Sequence, residues 1–480
     1  MSKKAFYITT TLPYVNADPH VGFAMELIRA DVIARAKKLQ GHDVFFNTGT
    51  DEHGQKLWAD AQKVGEDVKH YVDRYAEEFR GLKGLLHISD DVHFIRTTDV
   101  HHEKAAQEFW KRCNENGYIY KKTYQVKYCV GCELEKTDSE LVDGKCPIHP
   151  TREIEFIDEE NYFFKFSAFQ EKLLAFYESH PHFVIPDFRF NEIKAFVERG
   201  LEDFSISRLK SKMPWGIPVP GDDAQVMYVW FDALVNYIST LGWPEDTETF
   251  NRYWKDGLPT QYCGKDNLRQ QSAMWQAMLM AAGLPNSHQI VINGFFTGEG
   301  GLKMSKSIGN VVNPYDVVRE YGVDALRYYV LAEVSMFEDS PVSMELIKAS
   351  YNAKLANGLG NLTSRIMKMA STYLEYSPEI PEGTIPHTYF DHLRQFDIGK
   401  AVGMVWEEIT ALDMLIQDKQ PFKLVKTDVE AGKLVVTELV TRLYTVARML
   451  NPILPETSKK IKELVKVNQM PETPLFLRKE

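Results

Sequence analysis

The chain has 480 residues, of which 44% are hydrophobic and 26% are charged. At about 100–200 residues per domain, this length predicts two to four domains. No apolar run approaches the ~20 residues that span a bilayer, and the amino terminus lacks the features of a signal peptide. We therefore predict no membrane association and a cytoplasmic location. The net charge of −11 argues weakly against nucleic-acid binding, which nevertheless depends on a local basic face rather than on total charge.

The amino-terminal elements predict an α/β fold. Residues 5–10 are typical of a buried strand, Phe23 to Leu39 carries apolar residues at helical spacing, and Val44 to Thr48 predicts a second strand. Strand, loop, helix and strand in this order open a parallel nucleotide-binding fold. The segment 68–114 predicts amphipathic helix.

The pattern changes near Tyr118, where short alternating segments and a cysteine cluster predict an inserted domain. The α/β pattern resumes at Val226, with a predicted helix over 230–241 and a predicted strand over 289–293. Helical periodicity then dominates to the end.

In this last part, helix is predicted from about Ser343 to Val465, with a proline-rich break over 376–386. We predict residues 468–480 to be a tail. No internal repeat is present in the sequence.

Three of the five cysteines are crowded into one short segment, which argues for a metal site and against a disulfide framework. Cys129 and Cys132 are followed by Cys146 and His149, so the spacing is CxxC and then CxxH. Three thiolates and one imidazole can surround Zn²⁺ tetrahedrally without a spare position, as in structural zinc sites. The alternative is four unligated residues in a loop.

Two further motifs suit phosphate chemistry. His20 and Gly22 lie in a loop that enters a predicted helix, and helix amino termini attract phosphates. Lys303 and Lys306 lie in a stretch bracketed by glycines, which can bring two cations to a polyphosphate. Taken alone, the first motif is better explained by a turn with a surface histidine, and the second is usually a solvated basic loop.

Together these strings resemble one family. The four residues from His20 are similar to the HIGH signature of class I aminoacyl-tRNA synthetases, and the five from Lys303 match the KMSKS signature in full. Seven segments in family order resemble methionyl-tRNA synthetases of the bacterial type with a single zinc knuckle: Ile8–Asn16, His20–Phe23, Thr50–Gly54, Pro214–Pro218, Tyr228–Ala233, Gly264–Asp266 and Lys303–Ser307.

The resemblance implies an α/β fold with a Rossmann-type doubly wound parallel sheet, an inserted zinc-knuckle domain and a C-terminal α-helical anticodon-binding bundle. The predicted boundaries are 1–117 and 226–295 for the two halves of the catalytic domain, 118–225 for the inserted connective-peptide domain, 296–345 for the KMSKS loop with the stem-contact region, and 346–480 for the anticodon-binding domain. We expect a monomer, since no dimerising domain follows the predicted bundle.

The family also implies the roles of individual residues. His20, Lys303 and Lys306 would be catalytic and, with Gly22, Gly264 and Asp266, would bind ATP. Methionine would be bound by Leu12, Tyr14, Asp51, Trp230, Ala233, Leu234, Tyr237, Gln271 and Trp275. The helical spacing of four of these (Trp230, Ala233, Leu234 and Tyr237) alone is better explained by a core stripe. Asp51 could equally be a helix N-cap.

In the helical part, Asn361 and Arg365 lie one helical turn apart and would read the first anticodon base, with Phe422 stacking on the anticodon. Without the resemblance, a solvated helix face would be the better interpretation. The sequence departs from the family at three positions, where Phe23 replaces the second histidine of HIGH, Gln271 a histidine and Asp413 an asparagine.

The implied activity is that of a methionine–tRNA ligase, with L-methionine, ATP and tRNA(Met) as partners, Mg²⁺ bound with ATP, and one structural Zn²⁺. Two alternatives stay open. One is another class I synthetase, for leucine, valine or cysteine, against which the short insertion and the position of the knuckle argue. The other is a paralogue that binds a nucleotide or tRNA without catalysis.

Overall fold

The computed structural model describes residues 3–129, 134–136, 141–147, 151, 153–298, 312–381 and 385–480. In these ranges no helix has the length and apolar character needed to cross a membrane. Four predicted site residues, Cys132, His149, Lys303 and Lys306, lie outside the described residues.

A six-stranded parallel sheet forms the centre of the molecule. From edge to edge, with strands numbered in chain order, it comprises β3 (His93–Arg96), β2 (Asp43–Thr50), β1 (Ala5–Thr10), β12 (Thr260–Gly264), β13 (Gln289–Asn293) and β7 (Val184–Ile185). β1 and β13 match the predicted strands, and β2 extends the predicted 44–48. β1 lies between β2, the next strand in sequence, and β12, which comes much later in the chain. At such a switch in strand order, a crevice opens at the carboxyl ends of the strands.

Helices cover the first half of the sheet: α1 (Val21–Leu39), α2 (Gln55–Val64), α3 (Val68–Leu85) and α4 (Val100–Glu115). The prediction of helix over 68–114 is wrong in its middle, where β3 separates α3 from α4. Ile95 of β3 is buried and pairs with Gly49 of β2. Pairing with a neighbouring strand thus decides the conformation of these four residues.

The predicted insertion folds mainly as an antiparallel sheet with two helices. Its elements are β4 (Ile119–Cys129), β5 (Leu134–Lys136), β6 (Glu155–Phe164), β8 (Phe204–Ser205), α5 (Gln170–Ser179) and α6 (Asp187–Glu198). A smaller sheet of β9 (Ser207–Leu209), β10 (Pro218–Val219) and β11 (Asp222–Met227) follows. The segment also contributes β7, whose Val184 pairs with Ile290, so it is interleaved with the central sheet.

The second half of the α/β part contains short helices. They are α7 (Val229–Ala233), α8 (Asn236–Ser239), α9 (Thr247–Phe250) and α10 (Trp275–Ala281). The predicted helix over 230–241 is therefore broken. The side-chain amide of Asn236 donates to the backbone carbonyl of Ala233 at 2.6 Å. Such side-chain hydrogen bonds to the backbone compete with those of a regular helix.

Beyond β13, β14 (Phe296–Thr297) pairs in parallel with β15 (Ser340–Pro341), and α11 (Pro314–Tyr321) and α12 (Val323–Tyr328) lie between them in sequence. The carboxyl-terminal part is helical, as predicted, with a π-helical stretch over Tyr351–Gly360. Its helices are α13 (Met344–Ser350), α14 (Asn361–Tyr373), α15 (His387–Arg394), α16 (Ile398–Lys419), α17 (Pro421–Thr427), α18 (Val429–Leu450) and α19 (Pro455–Val467).

A buried arginine joins this helical part to the sheet. Arg327 of α12 donates to Asp31 of α1 at 2.9 Å, to the carbonyls of Pro452 and Ile453 beyond α18, and to that of Leu86 beyond α3. Its side chain is fully buried, as is that of Asp31. Three parts of the chain that are distant in sequence therefore meet at one guanidinium.

Residues 468–480 form no helix, as predicted for a tail, but their end is packed against the π-helical stretch. Tyr351 donates to the carbonyl of Leu477 at 2.7 Å, and Asn352 pairs with the backbone of Lys479 in both directions. The ring of Phe476 meets that of Tyr351 edge to face at 6.0 Å. These contacts make the terminus part of the folded core.

Candidate active site

A cavity of about 660 Å³ opens at the carboxyl ends of the strands, next to β1 and β12. Its walls come from the loop after β1, the start of α1, the end of β2, the α7–α8 segment and the residues after β12 and β13. Predicted site residues that line it are Leu12, Tyr14, His20, Gly22, Asp51, Trp230, Ala233, Leu234, Tyr237, Gly264, Asp266 and Gln271.

One described residue of the predicted site lies behind this wall. Trp275 is fully buried and meets Tyr237 edge to face at 6.0 Å, one layer from the cavity. Trp275 therefore supports a wall residue and does not line the cavity in this structure. Lys303 and Lys306 are outside the described residues.

Backbone pairing brings the loop after β1 to the end of β2. The amide of Asp51 donates to the carbonyl of Pro13 at 2.9 Å, and the amide of Val15 donates to that of Asp51 at 3.2 Å. Gly54, at φ 126°, lies directly against the hydroxyl of Tyr14, so a side chain there would be strained and would also collide. This pairing places Tyr14 and Asp51 side by side.

The carboxyl group of Asp51 is buried, and its Oδ1 has no hydrogen-bond partner among the described residues. Burial, with the nearby charges of Asp232 and Glu52, raises its pKa well above the usual value. Those two carboxylates have partners of their own: His53 contacts Asp232 at 2.7 Å, and Arg96 donates to Glu52 at 2.7 Å. Asp51 is thus suited to receive a cation from the cavity.

The wall beside Asp51 is largely apolar. Trp230 and Tyr237 project into the cavity from the α7–α8 segment, although a break separates the two helices. Gln271 donates to the hydroxyl of Tyr237 at 2.6 Å and accepts from Gln261 at 2.5 Å, so its amide is held by neighbours. Such a surface suits an uncharged, polarisable side chain.

His20 is the N-cap of α1 and accepts from the amide of Gly22 at 3.1 Å through Nδ1. A neutral ring in this arrangement carries its proton on Nε2. A Cβ at Gly22 would lie 2.8 Å from the imidazole, so only glycine leaves room for it. Phe23, at the departing HIGH position, lies 4.2 Å from the His20 ring and adds an apolar face where the family has a donor.

Sequence reasoning missed Glu26, which lines the same cavity one turn after Gly22. Its Oε1 accepts from the amide of Thr11 at 2.7 Å, and burial raises its pKa to about 8. Glu26 follows Gly22 by four residues in the predicted helix, and this spacing was the sequence signal that could have placed it at the site. Asn236 and Phe295 also line the cavity and were not predicted, because no local pattern distinguishes them from core residues.

The chain returns to the cavity on both sides of residues 299–311, which are not described. Phe296, shortly before them, lines the cavity. Val312, directly after them, accepts from the amide of Val21, next to His20, at 3.2 Å. Of the described residues that flank the predicted lysine loop, Phe296 thus lies in the cavity wall and Val312 beside the His20 turn.

Comparison with known proteins identifies the family. The family model described as "tRNA synthetases class I (M)" matches residues 6–154 and 151–367. The methionine–tRNA ligases of Caldanaerobacter subterraneus subsp. tengcongensis and Thermotoga maritima are 40% and 39% identical, each over 97% of this chain and over 75% and 76% of their own. A structure of Mycobacterium tuberculosis methionyl-tRNA synthetase with methionyl-adenylate superimposes with a TM-score of 0.87 at 35% identity, over 99% of this chain and 100% of that one.

The chain belongs to the class I methionyl-tRNA synthetases. It is therefore an aminoacyl-tRNA synthetase, and the predicted fold class, a Rossmann-type parallel sheet with a helical carboxyl-terminal part, is confirmed. The comparisons do not support the leucine, valine or cysteine enzymes as alternatives. The domain boundaries and the individual site residues stay predictions.

The predicted anticodon residues all lie on helices of the carboxyl-terminal part. Asn361 and Arg365 are one turn apart on α14, and Phe422 is the second residue of α17, where 42% of it is exposed. Asp413 of α16 forms an ion pair with Arg365, and its second oxygen accepts from Gln417 at 2.6 Å. The acidic residue at the departing position is thus bonded to the predicted base-reading arginine.

The predicted zinc knuckle lies mostly outside the described residues. Cys129 is the last residue of β4, and its backbone pairs with that of Leu134 in β5. Cys146 follows a turn closed by Val142 and Lys145 and is buried. These two cysteines belong to the predicted ligand set, whose other members, Cys132 and His149, lie outside the described residues.

Proposed function

We propose that the chain activates L-methionine with ATP and transfers the methionyl group to the 3′-terminal adenosine of tRNA(Met). The observation that supports this function best is the buried Oδ1 of Asp51, which has no partner in the described part of the chain and lies beside an apolar wall. An ammonium group placed there would pair with the carboxylate. The thioether would then contact Trp230 and Tyr237, which suits a polarisable sulfur.

In the first step the methionine carboxylate attacks the α-phosphorus of ATP in line, so that methionyl-adenylate forms and pyrophosphate leaves. No side-chain nucleophile is needed, and alignment alone can contribute roughly 7–11 kcal/mol. Gly264 and Asp266 would hold the adenosine, and Gly22 would admit the phosphates. His20, Lys303 and Lys306 would stabilise the developing negative charge, and Mg²⁺ would bind the phosphates.

In the second step a ribose hydroxyl of the terminal adenosine attacks the adenylate, and AMP leaves. Resemblance to class I enzymes implies the 2′-hydroxyl. Asn361 and Arg365 would read the first anticodon base, with Phe422 as a stacking surface. Arg365 pairs with Asp413 through Nη1, so Nε and Nη2 of the guanidinium would be the donors to the base.

We also propose one structural Zn²⁺, held by Cys129, Cys132, Cys146 and His149. Thiolate and imidazole donors fit this ion, and four protein ligands leave no position for substrate. Metal analysis of the purified chain should give one zinc per molecule. A Cys146→Ser change should release it and destabilise the insertion, whereas full zinc retention by that variant would exclude Cys146 as a ligand.

Methionine-dependent exchange of pyrophosphate into ATP, followed by charging of tRNA(Met), tests the proposed function. An active enzyme exchanges only with methionine present and charges a tRNA with the anticodon CAU. A paralogue that merely binds nucleotide or tRNA would bind without exchange, and that result would overturn the proposal.

A further inference from the structure

Asp339, in the loop between α12 and β15, joins two segments that border the cavity. Its Oδ1 accepts from the amide of Phe295 at 2.9 Å, and its Oδ2 accepts from Nζ of Lys265 at 2.6 Å. Lys265 lies in the turn after β12, next to Gly264, whereas Phe295 follows β13. One carboxylate therefore connects the ends of two neighbouring strands.

These segments are closely packed against one another. A Cβ at Gly264 would lie 2.9 Å from the ring of Phe295, and a Cβ at Gly294 would lie 2.1 Å from the carbonyl oxygen of Glu338. Nζ of Lys265 lies 4.9 Å from the centre of the Phe295 ring, within the range of a cation–π contact. The ring is thus held against the glycine turn on one side and by the lysine on another.

Asp339 also precedes the ladder between β14 and β15. The amide of Ser340 donates to the carbonyl of Phe295 at 2.9 Å, and that of Val342 donates to Thr297 at 3.0 Å. Residues 295–297 lead towards the predicted lysine loop. The carboxylate therefore fixes the first residue of the segment from which that loop departs.

We propose that Asp339 is a positioning residue for the nucleotide half of the site. By holding Lys265 and the amide of Phe295, it fixes the positions of the Gly264 turn and of the Phe295 ring packed on it, both of which line the cavity where the adenosine would bind. This inference rests on the proposed function, which places adenosine at Gly264 and Asp266. The Asp339–Lys265 pair is partly exposed, with 39% and 29% of the side chains accessible, so its contribution to stability is small.

Three variants separate the two contacts of Asp339. Asp339→Ala removes both, whereas Asp339→Asn keeps an acceptor for the Phe295 amide and loses the charge. Lys265→Met keeps the bond to the Phe295 amide and removes the ion pair, together with the contact between Nζ and the Phe295 ring. In methionine-dependent pyrophosphate exchange, we expect Asp339→Ala to raise the KM for ATP about tenfold and the KM for methionine less than twofold. Asp339→Asn and Lys265→Met should each show a smaller increase in the KM for ATP than Asp339→Ala.

Asp43→Asn is a matched control, because Asp43 also bridges two segments, β2 and Arg252 with Tyr253, but at the opposite end of the sheet. It should leave both KM values unchanged. Equal increases in the two KM values for Asp339→Ala, or a lowered Tm with an unchanged KM for ATP, would overturn the positioning role.

Calorimetric titration with Mg-ATP distinguishes failure of this inference from failure of the proposed function. If the wild-type chain shows no exchange, the proposed function is wrong. Weaker Mg-ATP binding by Asp339→Ala than by Asp43→Asn would still support the positioning role. Equal binding by the two variants would overturn it.

Discussion

Among single residues, Asp51 has the most unusual electrostatic setting. It is buried beside Asp232 and Glu52, yet those two carboxylates have cationic or imidazole partners and Asp51 has none among the described residues. An ionised carboxylate in this setting destabilises the empty protein. A bound ammonium group would compensate that charge, so the binding of substrate would relieve the cost.

Asp51→Asn should therefore raise the KM for methionine by two orders of magnitude or more and leave ATP binding nearly unchanged. The folded-state pKa of Asp51 is raised, so its charge opposes folding as the pH rises from the ordinary carboxyl range through that value. The amide variant should accordingly unfold at a higher temperature than the wild type at pH 7, with a gain of about 1–3 kcal/mol. Thermal unfolding and exchange kinetics measure the two effects.

The same ionisation predicts a pH dependence. As the pH falls through the raised pKa, Asp51 becomes neutral and loses its attraction for the ammonium group. The kcat/KM for methionine should decline on this acidic side, and the decline should be absent in Asp51→Asn. An unchanged acidic limb in the variant would assign the titration to another group.

Trp230→Ala should raise the KM for methionine roughly 10- to 100-fold, equivalent to about 1.4–2.8 kcal/mol, because the half-buried indole forms part of the cavity wall. Trp275→Ala offers a comparison, since Trp275 is fully buried behind Tyr237. It should cost about 3–5 kcal/mol of stability. Parallel titrations with methionine and thermal unfolding separate a contact residue from a supporting one.

Among elements, the outcome of prediction depended on whether local or distant contacts decide the conformation. The strands at 5–10 and 289–293 were predicted because continuous apolar runs suit strands buried on both faces. β3 was missed, since its four residues depend on pairing with β2. The same distinction applies to the site. The segments that resemble the family indicated Asp51 and Trp230, whereas Glu26 reaches the cavity only through the packing of α1 over the loop after β1.

The docked carboxyl terminus gives an element-scale prediction. Phe476→Ala should lower the free energy of unfolding by about 1–3 kcal/mol, less than a fully buried ring would cost, because the ring packs on Tyr351 and Gly360. Leu477→Ala is the matched control, since 61% of Leu477 is exposed and only its carbonyl accepts from Tyr351. Denaturant unfolding should place the control within about 0.5 kcal/mol of the wild type.

At the scale of the whole molecule, Arg327 is the residue that joins the catalytic and helical parts. Arg327→Met removes one of the two arginines that pair with the buried Asp31, the other being Arg35, and leaves the carbonyls of Leu86, Pro452 and Ile453 without this donor, so it should destabilise the protein by about 3–5 kcal/mol. Asp31→Asn added to it should cost little more, because the two residues act as one unit. The exposed pair of Lys38 and Asp91 serves as control, and Asp91→Asn should be nearly neutral.

α1 begins at His20 above the sheet and carries Arg29 and Asp31 in its buried middle. Arg29 donates to the carbonyls of Val330, Ser335 and Met336, and Asp31, two residues further along the helix, accepts from Arg327. Successive residues of an α-helix are rotated by about 100° around the helix axis. Inserting or deleting one amino acid between the cap and Arg29 would thus rotate both charged groups away from their partners, so evolution can exchange side chains along this helix but can hardly alter its length.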